Sequence, residues 1–202
     1  MSEKVLISTF GFESDKIITA IRELPFERLV LVMGKDALKK PGFIEVKDLC
    51  DMANTTLNKV YVDVFNFMDC FKKITSRIEK EQNNDNIVSV NASGGTKVLG
   101  DAAILGSFHC GVQAYHCEDD LVELPVFLGV RFEDRFTEDQ QNLLKLLSRP
   151  RSYEEIRDST LGIRNISKSM NELKRRGLVD EMAGPVTRYG LSREGKLVKR
   201  YI

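Results

Sequence analysis

Several features that mark well-known protein classes are missing from this sequence of 202 residues. No apolar run approaches the length of a membrane span, and the chain enters an apolar segment of strand length within its first few residues. Its four cysteines (Cys50, Cys70, Cys110 and Cys117) lack the paired spacing of a disulfide scaffold or a zinc ribbon. We therefore expect a protein of the reducing cytoplasm with no signal peptide, membrane partner, metal or cofactor.

Two common nucleotide-binding signatures are also missing. The segment after the first expected strand has no Gly-x-Gly-x-x-Gly, which counts against an ordinary dinucleotide site. The segment Gly95-Thr96-Lys97 places the threonine before the lysine, so it does not match the phosphate-loop motif of nucleoside triphosphatases. These absences disfavour a dinucleotide-dependent enzyme, a kinase or an ATPase.

The sequence has no overall charge, but its charges are unevenly distributed. Residues 1–136 contain 16 Lys and Arg against 21 Asp and Glu, whereas residues 137–202 contain 14 against 9. An acidic first part and a basic second part suggest two modules with different partners. Nucleic acid is the expected partner of the basic module.

Short apolar runs alternate with amphipathic helical patterns in the first two thirds of the chain. The expected strands are Lys4–Thr9, Leu29–Met33, Lys59–Val64, Ile87–Val90, Val112–His116 and Leu121–Val126, with the last two forming a hairpin. Apolar strands separated by helices are typical of a parallel sheet that is covered on both faces. We therefore predict an α/β, Rossmann-like domain over residues 1–128, with a mostly parallel sheet and a C-terminal hairpin.

Two unusual loops follow the first and fourth expected strands. Because the carboxyl ends of parallel strands meet at one sheet edge, the two loops are expected to share a ligand pocket. The small residues, hydroxyls and ammonium of the second loop suit a phosphate or another anion. The candidate ligand-binding residues are Ser8, Thr9, Phe10, Gly11, Asn91, Ser93, Gly94, Gly95, Thr96 and Lys97, with Lys35 as a further cation. Alternatively, the glycines serve only a tight strand-to-helix turn.

Residues 129–136 are read as a linker, and residues 137–202 as a winged helix-turn-helix. Thr137 and Ser152 are placed to cap two helices, a turn is expected at residues 160–162, and a third helix is expected over Ile163–Arg176 before a small hairpin. The exposed face of that third helix and the hairpin provide the DNA-binding candidates Arg164, Asn165, Ser167, Lys168, Asn171, Lys174, Arg175 and Arg188. A role in protein contact alone is the alternative.

These features together resemble a known family. The Ser-Thr-Phe-Gly-Phe segment at residues 8–12 and the Asn-Ala-Ser-Gly-Gly-Thr-Lys segment at residues 91–97 look like the ligand loops of a CRISPR-associated Rossmann-fold (CARF) domain. The fusion to a winged helix-turn-helix is similar to the archaeal CRISPR-associated transcriptional regulators. The resemblance covers nearly the whole chain, and residues 93–97 are its most specific part.

The resemblance implies a homodimer in which paired CARF domains form one symmetric cleft for a cyclic oligoadenylate, most often the tetra-adenylate. It places residues 93–97 against the phosphates of the ligand and residues 8–11 in the same pocket. Ligand binding would alter the arrangement of the two winged helices, and with it the affinity for double-stranded DNA.

An enzymatic alternative stays open. The resemblance also includes proteins that cleave their own cyclic ligand without a metal, through attack of a ribose 2′-hydroxyl on the adjacent phosphodiester. Lys97 with Ser8 or Thr9 would then be the catalytic candidates, acting through alignment and charge stabilisation. Neither loop contains a histidine to act as a general base, which favours binding over fast cleavage.

Overall fold

The computed structural model describes residues 2–159 and 162–202. The chain divides into two compact units, Met1–Arg131 and Phe132–Ile202, which are described separately. Residues 132–135, which the sequence analysis assigned to a linker, form a 3₁₀ turn, and Phe132 packs against the core of the second unit.

A single sheet organises the first unit, whose residues 2–131 are all described. Its strands are β1 (Lys4–Thr9), β2 (Arg28–Met33), β3 (Thr56–Tyr61), β4 (Ile87–Asn91), β5 (Gln113–Cys117) and β6 (Leu121–Glu123). Their order is β3-β2-β1-β4-β5-β6, and every neighbouring pair is parallel except β5 and β6, which form an antiparallel hairpin. The expected Rossmann-like, mostly parallel sheet with a hairpin is therefore confirmed.

Helices cover the sheet of the first unit. They are α1 (Asp15–Glu23), α2 (Pro41–Met52), α3 (Phe67–Gln82) and α4 (Lys97–Cys110), with a 3₁₀ turn at Lys35–Lys39. Apolar residues of β1, β2, α1 and α2 form one buried cluster, in which Phe10 lies 6.3 Å from Phe43 between ring centroids. The helices α3 and α4 pack together, and a Cβ on Gly106 would lie 3.3 Å from Ile74.

The second unit is mainly helical. Its elements are α5 (Glu138–Leu146), β7 (Arg151–Ser152), α6 (Tyr153–Arg157), α7 (Ile166–Arg175), β8 (Val179–Met182), β9 (Arg188–Leu191) and α8 (Arg193–Val198). Thr137 and Ser152 cap α5 and α6, as predicted. Both form reciprocal hydrogen bonds, Ser152 with Glu155 as its spacing predicted and Thr137 with Gln140. The described strands pair antiparallel in the order β7-β9-β8.

The third helix of the second unit starts later than predicted. It begins at Ile166 instead of Ile163, because the backbone N–H groups of Arg164 and Asn165 donate to the carboxylate of Asp139 at 3.1 and 2.9 Å. Ile166, Met170 and Leu173 are buried on its inner face. In the turn expected at residues 160–162, Thr160 and Leu161 lie outside the described residues.

Candidate functional site at the strand switch point

The two loops predicted to share a pocket lie side by side. Strands β1 and β4 are paired at the centre of the sheet, and the chain continues from β1 to β2 on one side and from β4 to β5 on the other. Such a reversal of strand order opens a crevice at the carboxyl ends of the strands, where α/β proteins bind ligands. The segments that follow β1 and β4 therefore form the walls of one crevice.

Glycines allow the two loops to touch through their backbones. A Cβ on Gly94 would lie 2.2 Å from the carbonyl oxygen of Thr9, and a Cβ on Gly11 would lie 2.6 Å from the Cα of Gly95. Gly95 has a φ of +85°, a conformation that side chains other than glycine rarely adopt. Close packing of the loops therefore requires these glycines.

Buried polar side chains fix the two loops to each other. The Thr9 hydroxyl accepts from the N–H of Gly94 at 3.0 Å and lies 3.4 Å from the carbonyl oxygen of Asn91, to which it donates. The Asn91 amide donates to the Ser8 hydroxyl at 3.1 Å and accepts from Ser93 at 2.5 Å. Ser8, Thr9 and Asn91 are almost wholly buried, so their side chains support the loops from below and do not line the crevice.

Thr96 and Lys97 begin α4 at the crevice. The Thr96 hydroxyl accepts from the N–H of Leu99 at 3.2 Å as the helix cap and donates to the carbonyl of Val64 at 2.6 Å. This second bond attaches the loop that follows β3 to the start of α4. Lys97 is exposed in the first turn of the helix and does not line the cavity described next.

The crevice contains a cavity of about 370 Å³. Its lining residues come from the loops that follow β1, β2, β3 and β4 and from the first turn of α1, and are Phe10, Gly11, Phe12, Glu13, Lys16, Gly34, Asp36, Ala37, Val64, Phe65, Ser93, Gly94, Gly95 and Thr96. The ring of Phe10 is buried in the core, so this residue borders the cavity through its backbone. Lys35 lies in an adjoining depression lined by the loop that follows β3.

Two exposed aromatic rings border the cavity. Phe12 is 59% exposed and Phe65 is 80% exposed. The ammonium of Lys40 lies 4.5 Å from the ring centroid of Phe12. The rings offer flat apolar surface beside the polar loops.

The charged groups of the cavity differ from those that the sequence motifs identified. Glu13, Lys16 and Asp36 line it, and the ammonium of Lys16 lies 2.6 Å from the carboxylate of Glu118. Sequence reasoning missed Lys16 because it lies in the first turn of α1, outside both loop motifs. Its position just after the first loop was the available signal.

The second unit exposes most of the predicted DNA-binding residues. Ser167, Lys168, Asn171 and Arg175 lie on the outer face of α7, with Ser167 bonded to the Tyr153 hydroxyl at 3.0 Å. Arg164 and Asn165 precede the helix, which corrects their placement on its outer face.

Two of the predicted basic residues have internal acidic partners. Lys174 pairs with Glu181 of β8, and its ammonium lies 5.8 Å from the ring centroid of Tyr189. Arg188 donates to the carbonyl of Pro150 at 3.3 Å and lies 3.8 Å from the Glu155 carboxylate. Lys168 and Arg175 are therefore better placed than these two residues to meet an outside anion.

No cluster of three or more His, Cys, Asp or Glu side chains in residues 2–159 and 162–202 is arranged to hold a metal ion. Within the same ranges, no helix combines the length and the apolar character needed to cross a membrane.

The fold and the crevice define the first unit as a doubly wound α/β domain with a cavity at the switch point of its sheet. Residues 4–120 match the sequence model of the family described as "HFX_2341_N:-like, N-terminal", so the chain belongs to that family. None of the curated proteins matches the chain.

Solved structures share the fold at low sequence identity. Protein VC1899 from Vibrio cholerae is 12% identical with a TM-score of 0.54, covering 97% of this chain and 64% of its own. Can2 from Sulfobacillus thermosulfidooxidans, solved in complex with cyclic tetra-adenylate, is 14% identical with a TM-score of 0.51, covering 98% and 62%. A type III CRISPR defence DNA nuclease activated by cyclic oligoadenylate is 13% identical with a TM-score of 0.54, covering 100% and 33%. The chain thus spans less than two thirds of each of these proteins.

Proposed function

We propose that this chain is a ligand-responsive, DNA-binding transcriptional regulator of a CRISPR system. Its first unit acts as a CARF domain and binds a cyclic oligoadenylate, with the tetra-adenylate as the first candidate, in a cleft between two copies of the chain. Its second unit is a winged helix-turn-helix that binds double-stranded DNA. The observation that carries the proposal is the pair of interlocked loops at the β1–β4 switch point.

The geometry of these loops suits a nucleotide phosphate. The first backbone N–H groups of α4 have no carbonyl partner within the helix, and they lie at its positive end beside the Gly94-Gly95 turn. An oxygen of a phosphodiester can accept hydrogen bonds from N–H groups at this end of the helix. Phe12 and Phe65 border the same cavity, and a base can stack on such exposed rings.

The comparisons support the choice of ligand. Can2 was solved with cyclic tetra-adenylate, and the CRISPR nuclease is activated by cyclic oligoadenylate. A cyclic tetra-adenylate has four phosphates in approximate symmetry, so a two-fold dimer would present each loop to the ring twice. In this arrangement the exposed Lys97 of each copy contacts the ring, although it does not line the cavity of its own unit.

The second unit carries the features expected of a DNA reader. Helices α5 to α7 followed by the β8–β9 hairpin have the element order of a winged helix-turn-helix, with α7 as the recognition helix. Lys168, Asn171 and Arg175 recur at spacings of three and four on its exposed face, which allows contacts to phosphates and base edges along one groove. For a ligand to regulate DNA binding, it must bind one dimer state more tightly than the other.

Calorimetry and DNA retardation test the proposal together. We expect the purified chain to bind cyclic tetra-adenylate but not linear tetra-adenylate, with one ring per two chains. A DNA duplex that binds the chain can be selected from a random pool. Its electrophoretic retardation by the chain should change when the ring is added. Failure to bind cyclic tetra-adenylate or larger cyclic oligoadenylates would contradict the proposal, and accumulation of linear di-adenylate would indicate ring cleavage.

Two substitutions on α7 test the DNA-binding role. Lys168→Ala should weaken DNA binding and reduce the slope of log affinity against log salt by about one, because one phosphate contact is lost. Lys174→Ala on the same helix is the matched comparison and should have the smaller effect, because Glu181 already neutralises Lys174. Unchanged retardation of both variants would favour a role in protein contact for this unit.

A further inference from the structure

Lys16 is the cation among the charged residues that line the crevice, and the two loop motifs assign it no role. Its backbone is fixed beside the loops, because its carbonyl accepts a hydrogen bond from the buried Asn91 amide at 3.3 Å. Among the cavity-lining residues, all of which fall within the described ranges, Lys16 is the only lysine or arginine. Lys16 is therefore the cation that the lining of the cavity offers to a phosphate.

In the structure the Lys16 ammonium already forms an ion pair with a carboxylate. Glu118 directly follows β5, and its Oε2 lies 2.6 Å from the Nζ of Lys16. The other carboxylate oxygen, Oε1, lies 3.4 Å from the Nε2 of His116. The hydrogen bond and the charge of Lys16 hold the pKa of Glu118 below its ordinary value, so this group is an anion at neutral pH.

The Lys16–Glu118 pair is suited to exchange because it is exposed. The Lys16 side chain is 31% exposed and that of Glu118 is 65% exposed, and ion pairs in contact with water contribute little to stability. A phosphate oxygen offers the ammonium the same kind of charge-assisted hydrogen bond as a carboxylate oxygen does. Replacement of one anion by the other therefore costs little.

We propose that Glu118 is a built-in competitor of the ligand. Its carboxylate occupies the Lys16 ammonium in the empty protein, and a phosphate of the cyclic oligoadenylate displaces it on binding. The inference rests on the proposed function and adds a regulatory property to the same site. Competition for Lys16 lowers the ligand affinity and so raises the ligand concentration at which the site fills.

A double-mutant cycle read by calorimetry with cyclic tetra-adenylate tests the exchange. Glu118→Gln should tighten binding about two- to fivefold, the range that loss of an exposed ion pair allows. Lys16→Gln should weaken binding about tenfold, because a charge-assisted hydrogen bond to phosphate is lost. In the Lys16→Gln background, Glu118→Gln should have no further effect, since Glu118 acts through Lys16.

Asp51→Asn is the control for a general change of charge. Asp51 forms an exposed pair with Lys47 on α2, neither residue lines the cavity, and the affinity should not change. Provided that wild type binds the ring, the proposed exchange is wrong if Glu118→Gln has the same affinity as wild type. It is also wrong if Glu118→Gln tightens binding by the same factor in the Lys16→Gln background. Failure of the folded wild type to bind cyclic oligoadenylates of any size would overturn the proposed function and this inference together.

Discussion

The two ends of the sheet in the first unit use charge in opposite ways. At the amino-terminal end, the buried Glu81 carboxylate accepts from both terminal nitrogens of Arg28 at 2.8 and 3.1 Å, and its oxygens lie 2.6 Å from Arg77 and 2.8 Å from Asn86. Glu3 binds Arg28 from the other side at 2.7 Å. At the carboxyl-terminal end, Lys16 and Glu118 form a pair that water reaches.

The difference separates groups that maintain the fold from groups that can change partners. A buried charge with several hydrogen bonds is costly to disturb, because its neighbours stay buried when it is removed. An exposed pair is weak, so a ligand can replace one member. We therefore expect substitutions at the amino-terminal end to affect stability and substitutions at the crevice to affect binding.

Glu81→Gln should give the largest change in the free energy of unfolding. The substitution keeps the shape of the side chain but leaves Arg28 and Arg77 without their shared anion, so we expect a loss of about 3 kcal/mol. Urea unfolding followed by circular dichroism measures it. Asp51→Asn, which breaks an exposed pair on α2, is the control and should leave the urea midpoint unchanged. Equal urea midpoints for Glu81→Gln and wild type would contradict the view that charges at the amino-terminal end of the sheet maintain the fold.

The same carboxylate predicts how stability depends on pH. Burial opposes the ionisation of Glu81, but hydrogen bonds from Asn86 and Arg28 and the charges of both arginines outweigh it and lower its pKa. Its contribution is therefore complete above the unfolded pKa of about 4.3 and is lost as the pH falls through the lower folded pKa. The advantage of wild type over Glu81→Gln should shrink progressively as the pH falls below the unfolded pKa. A constant difference from pH 7 to pH 3 would contradict this.

Much of this organisation could be predicted from the sequence, because it depends on local patterns. The apolar runs gave β1, β2 and β4 within a residue, and the capping box at Ser152 follows from Glu155 three positions further on. The loop pair after β1 and β4 followed from one topological rule.

The errors arise where distant residues decide the local structure. Ser14 directly precedes α1, where a serine commonly caps a helix, but its hydroxyl donates to Glu45 of α2 at 2.5 Å instead. Asp139 delays the start of α7, and no local pattern reveals that contact. β3 starts three residues before the predicted Lys59, because its half-buried positions alternate weakly. Lys16 lies outside both loop motifs, and the three-dimensional lining of the cavity brings it to the site.

Gly94→Ala should reduce both stability and binding, and so marks where the two roles overlap. The added Cβ would lie 2.2 Å from the Thr9 carbonyl oxygen, which forces the loops apart at a cost of about 2 kcal/mol. Affinity for cyclic tetra-adenylate should fall at least about tenfold, because the phosphate-binding backbone moves. Urea unfolding and calorimetry measure the two effects.

Gly184→Ala is the control for Gly94→Ala, because its added Cβ would come no closer than 3.6 Å to another heavy atom. Neither stability nor ligand affinity should fall in this variant. If Gly94→Ala bound the ring as tightly as wild type, the close contact between the loops would have no role in recognition.

Phe12→Ala should show the smallest change in stability and the clearest separation of the two roles. Its ring is 59% exposed, so the free energy of unfolding should change by less than about 0.5 kcal/mol. If a base of the ligand stacks on this ring, affinity should fall about tenfold, within the range of base–aromatic stacking. Phe127→Ala removes a ring that is 72% exposed and lies outside the cavity, and it should change neither quantity. A stability loss in Phe12→Ala as large as that of Glu81→Gln would mean that the crevice also maintains the fold.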